Sequence, residues 1–126
     1  MTQGDGRFGD GQSGAGRKFD LEERTSEFGE KVIRLAKKIP DTSVNEVLIR
    51  QFVKAGTSVG ANYGEANDAE SKKDFRHSAK RCLKEAKETR HFLRMIVASE
   101  PALADEARVL YREATELILI LGAMCK

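Results

Sequence analysis

Apolar residues recur along this chain at alternating steps of three and four, in four separate runs with a stop signal between them. The first run is Leu21, Thr25, Phe28, Val32, Leu35 and Ile39, and it stops at Pro40. The second is Val44, Leu48, Phe52, Ala55, Val59 and Asn62. The third is Phe75, Ala79, Cys82, Ala86, Thr89, Leu93 and Ile96, and the fourth is Leu103, Ala107, Leu110, Ala114, Leu117, Leu121 and Met124. An α-helix turns once in about 3.6 residues, so each run forms a stripe down one helix face. Start signals agree with the stripes. Asp20 with Glu23 predicts one N-terminus, Ser43 with Glu46 reads as a capping box, Ser71 with Asp74 opens the third helix, and Pro101 sits in the first turn of the fourth. The predicted helices cover about 20–39, 43–65, 71–98 and 101–125. Their connections are short, so consecutive helices must run antiparallel. The fold class is therefore all-α: one domain over 20–126, an up-down-up-down four-helix bundle.

Residues 1–19 break this pattern. They hold six of the eleven glycines and almost nothing apolar, which predicts a flexible Gly-rich tail. Two helical segments also exceed what a plain bundle needs. The run A-G-T-S-V-G-A-N-Y-G-E-A carries Gly56, Gly60 and Gly64, each costing about 1 kcal/mol relative to Ala in a helix. Glycines four apart clear room for close approach, either by another helix of the bundle or by a second subunit. Leu117-Ile118-Leu119-Ile120-Leu121 is apolar all round, more than one monomer core absorbs. It predicts an oligomer interface at Ile118 and Ile120.

The formal net charge of +2 conceals an asymmetry. Residues 72–94 hold nine Lys or Arg against Asp74, Glu85 and Glu88, a balance of +6 that leaves the rest of the chain at −4. Lys73, His77, Lys80, Lys84, Lys87, His91 and Arg94 repeat at helical spacing, offset by two residues from the third apolar stripe. That offset rotates them by about 200°, onto the opposite face. Arg76, Arg81 and Arg90, with Lys72, widen the band. The result is a cationic rail about 32 Å long, suited to the phosphates of RNA or DNA. With six Phe, two Tyr and no Trp in the chain, and few of them among the cations, backbone contact without base stacking or strong sequence choice is expected. Two other readings stand beside it. The acidic stripe Asp20, Glu23, Glu27 and Glu30 offers the rail a partner between subunits, and charge runs are also ordinary solvated faces.

Candidate chemistry changes the picture little. Glu88-Thr-Arg-His91 has the spacing of a di-iron ligand pair and Asp74-Phe-Arg-His77 is a looser echo, but such sites need inward ligands on two different helices. Both motifs lie on one helix, on its outer face. No metal, cofactor or catalytic residue is expected, and the glycines match no phosphate-loop pattern. Cys82 and Cys125 form no disulfide framework, and Cys82 reads as a buried structural thiol. Asn62 and Glu65 read as polar groups that tie down the connection to the third helix. The chain shows no membrane-length apolar run and no secretion signal, so a cytoplasmic address is expected.

The order of several segments resembles a known family. D-L-E-E-R-T-S-E-F at 20–28, T-S-V-G-A-N-Y-G-E-A at 57–66, S-K-K-D-F-R-H at 71–77 and K-E-A-K-E-T-R-H-F-L-R-M-I at 84–96 resemble the bacterial four helix bundle proteins, also called 23S rRNA intervening-sequence proteins. The resemblance implies a homo-oligomer, in the better described relatives a pentamer with a central opening, and a nucleic-acid-binding role. It also extends to the accessory proteins of diversity-generating retroelements, which partner a reverse transcriptase and its RNA. Gly64 and His91-Phe92 depart from the family's commoner residues, a larger and often basic side chain and Tyr-Trp.

Overall fold

The computed structural model describes residues 20–126. The expected tail at 1–19 lies outside the described residues. The described chain forms four helices, α1 (Leu21–Ala36), α2 (Ser43–Asn67), α3 (Lys72–Ser99) and α4 (Ala104–Met124), with a 3₁₀ turn at Pro101–Leu103. They make the antiparallel up-down-up-down bundle that the four stripes predict. Helix α1 packs on α2, α2 on α3 and α3 on α4, while α4 meets α1 more lightly.

The core sits where the stripes converge. Phe28, Val32, Leu35, Phe52, Val59, Leu93, Ile96, Leu117 and Leu121 are fully buried. Each such side chain contributes about 1.5–3 kcal/mol relative to leaving it in water. Thr25 and Thr89 are buried with them, and each hydroxyl donates to a carbonyl of its own helix, Leu21 O and Glu85 O, at 2.7 Å. The glycine stretch of α2 faces α1. A Cβ on Gly56 would lie 2.6 Å from Val32 Cγ2, and one on Gly60 would lie 3.4 Å from Thr25 O, whereas Gly64 has nothing within 4 Å. Gly56 and Gly60 thus serve a contact inside the bundle. The lighter α1/α4 seam is closed by charge: Arg24 forks onto Glu113 at 2.7 and 2.9 Å and reaches Glu116 at 2.6 Å, and Lys38 meets Glu106 at 2.9 Å.

Several boundaries differ from the sequence reading. Helix α1 ends at Ala36 instead of Ile39, because Lys38 N–H and Ile39 N–H each turn back to the carbonyl three residues earlier ahead of Pro40. The cap of α2 is Thr42 instead of Ser43, with its hydroxyl accepting Asn45 N–H at 3.1 Å. Val44 is 65% exposed and Asn45 takes the buried position. Seven residues separate Asn45 from Phe52, about 20° of helix rotation, whereas Val44 lies about 80° away. The Asn45 amide donates to Pro40 O and to Glu100, and its carbonyl accepts from Ser99 at 2.6 Å, latching the α1–α2 connection to the end of α3. Pro101 opens a 3₁₀ turn, and α4 proper starts three residues later. The caps of α1 and α3 match the expectation, Asp20 accepting from Glu23 N–H and Ser71 from Asp74 N–H.

Candidate nucleic-acid interface

Helix α3 divides cleanly into two faces. Ala79, Cys82, Ala86, Thr89, Leu93 and Ile96 are buried against α2 and α4, while Phe75 at the first turn is half-buried. Lys73, His77, Lys80, Lys84, Lys87, His91 and Arg94 are all exposed on the other side, as are Lys72, Arg76 and Arg81. This follows from the local register, since every member of the rail sits two residues from a core position. His77 and His91 stand on the same outer face, about 21 Å apart along the axis. Among the described residues no three His, Cys, Asp or Glu side chains converge as a metal cluster would.

The cations are not equivalent. Among the described residues, Lys73, Lys80, Lys84, Lys87 and Arg94 have no carboxylate within ion-pair distance, while Arg81 lies 3.9 Å from Glu65. Glu65 is exposed at the end of α2, and Asn62 is buried one turn earlier. Arg90 departs from the expected rail. It is half-buried, donates to Thr115 Oγ1 at 3.2 Å, and holds its guanidinium 5.7 Å from the centre of the Tyr111 ring. It braces α3 against α4 instead of standing free in solvent.

Beside it lies a cavity of about 280 Å³ between the end of α3 and the start of α4. Leu93, Val97, Ala104 and Ala107 make its apolar floor. Arg94, Arg108 and Tyr111 form the polar part of its lining, so the rail's last cation belongs to the groove as well. The sequence reading missed this feature because its residues come from two helices. Its one local signal was Arg108 and Tyr111 at a three-residue spacing, which shares a helix face.

On the acidic stripe, Asp20 caps α1, Glu30 lies 3.7 Å from Arg34, and Glu27 is half-buried. Ile118 and Ile120 are partly covered by the chain's own core, and Leu119 between them is 69% exposed. Both cysteines are free thiols, and burial pushes the Cys82 thiol up to about 12 while it donates to Val59 O at 3.2 Å. That thiol is inert at neutral pH. Burial first, and the charge of Glu88 second, hold the Glu85 carboxyl above its ordinary value. No helix among the described residues is long and apolar enough to cross a membrane.

Comparisons with known proteins give matches both of sequence and of structure. The sequence model of a family described as 23S rRNA-intervening sequence protein matches residues 17–123. A solved structure from Bacteroides thetaiotaomicron, described as a protein of unknown function from the S23 ribosomal protein family, aligns with a TM-score of 0.77 and 28% identity. That alignment covers 84% of this chain and 98% of the other. No curated protein matches the chain.

Proposed function

The chain belongs to the 23S rRNA-intervening sequence protein family, and on that premise we propose that it is a non-enzymatic, cytoplasmic nucleic-acid-binding protein. The outer face of α3 grips the sugar-phosphate backbone of RNA or DNA without strong sequence choice. The observation that carries this reading is the row of Lys73, Lys80, Lys84, Lys87 and Arg94, exposed and without carboxylate partners among the described residues. Cations held in a row that outnumber the carboxylates of their own helix raise the surface potential and gain by releasing counterions from a polyanion. Arg76, His77, Arg81 and His91 flank the row, while Arg90 is turned onto Tyr111 and Thr115. By resemblance the proposal extends to service as an accessory factor to a reverse transcriptase and its RNA.

Binding should fall linearly on a log-log salt plot, with a slope of about −0.7 to −0.9 per phosphate neutralised. Lys80→Glu with Lys84→Glu should weaken RNA and DNA of unrelated sequence by a similar factor, on the order of 100-fold, and flatten the slope. Helicity should not change, because both side chains face away from the core. Fluorescence anisotropy reads the affinity, and salt-insensitive or absent binding by the unaltered protein would sink the reading.

Self-assembly is the second reading, and Leu119 favours it. A leucine this exposed, set between two half-covered isoleucines, loses water contact on meeting another copy. The proposed assembly is a homo-oligomer, by resemblance a pentamer. Leu119→Glu should dissociate it and leave the bundle folded, since the position carries no core contact of its own. Light scattering measures the mass, and a monomeric unaltered protein would overturn this reading.

A further inference from the structure

The groove between α3 and α4 has a composition that the backbone-binding reading does not use. Its floor is apolar, its mouth is cationic, and it opens at the end of the rail through the shared residue Arg94. Tyr111 lines it and is 38% exposed. Arg90 lies over the Tyr111 ring and is tethered to Thr115, a contact that restricts the ring before any ligand arrives. Among the described residues Arg108 pairs with Asp105, at 3.0 Å and itself 98% exposed, a pair that an incoming anion displaces at little cost. The cavity of about 280 Å³ is close to the lower end of the roughly 300–1,000 Å³ typical of ligand pockets.

An apolar slot with an aromatic wall and flanking arginines matches a flat, weakly polar ring attached to phosphates. We infer that this groove is a base-binding subsite: an unstacked base of a single-stranded nucleic acid lies in it against Tyr111, while Arg94 and Arg108 take the adjoining phosphates. The inference rests on the backbone-binding reading and sharpens it. A duplex keeps its bases stacked inside and engages the rail alone, whereas a single strand engages the rail and the groove together. Selection for unpaired strands then comes from the groove, and most of the salt dependence comes from the rail.

The chain has no Trp and two tyrosines, so tyrosine emission reports the groove directly once Tyr63→Phe removes the other source. An oligothymidylate and an abasic oligomer of equal length carry the same phosphates and differ only in bases. The single strand should bind about tenfold more tightly than the abasic oligomer and should quench Tyr111 emission. Tyr111→Leu keeps a helix-compatible apolar side chain, and it should abolish the difference while leaving abasic binding and its salt slope unchanged. Equal affinities for the two oligomers with unquenched tyrosine, while salt-sensitive binding persists, would overturn the base subsite and leave the rail standing. Negligible binding of both would overturn the rail and the groove together. Loss of abasic binding in Tyr111→Leu would assign Tyr111 to the fold and likewise overturn the subsite.

Discussion

The α1/α2 seam and the α3/α4 seam are both lined with small residues, yet one is shut and the other open. At the first, Gly56 brings the α2 backbone so close to Val32 that no Cβ fits between them. At the second, Ala104 and Ala107 face Leu93 and Val97 across a cavity of about 280 Å³. The difference lies in what the partner helix supplies. Val32 is a knob aimed at the hole that Gly56 leaves, and close packing follows. On α3 and α4, Arg94, Arg108 and Tyr111 flank the small residues, and none of them fills the space between the helices. Small residues permit close approach, and they produce it only where the opposing side chain fills the space. The first seam is therefore closed at Gly56, while the second, packed along the rest of its length, leaves a groove at one end.

Three substitutions test that contrast. Gly56→Ala has the largest expected effect. Its Cβ meets both methyls of a fully buried valine, and overpacking of about 1–3 kcal/mol exceeds the gain of about 1 kcal/mol in helix propensity. A net loss of up to about 2 kcal/mol should appear as a lower urea midpoint; an unchanged or raised midpoint would mean that the seam is looser than described. Gly64→Ala, two turns further along the same stripe and with open space around it, should instead gain about 0.5–1 kcal/mol. If both changes raised stability, helix propensity alone would explain the glycines. Ala104→Leu, on the open seam, should shift the midpoint least, by under about 0.5 kcal/mol. A large loss there would show that the groove walls are as closely packed as the glycine seam.

Much of the bundle is legible in the chain. The stripes of α1, α3 and α4 name nearly every core residue, because a single period decides which side of a helix meets water. The rail is legible for the same reason, being the complement of the α3 stripe. The start of α2 is not. Val44 and Asn45 compete for one inward position, and the amide wins because Pro40, Ser99 and Glu100, distant in sequence, converge on it. Arg24 is likewise unremarkable until α4 brings Glu113 and Glu116 beside it.

The sequence by itself determines four amphipathic helices, their antiparallel order, and a cationic face on the third, since each depends on residues a few positions apart. Only the tertiary structure decides that Gly56 and Gly60 serve α1 instead of another subunit, that Arg90 is spent on Tyr111 and Thr115, and that an aromatic wall stands beside Arg94. The physical reason is common to all three. Helical periodicity fixes the direction in which a side chain points along its own element, but what it meets there depends on the register between helices, which no local pattern encodes.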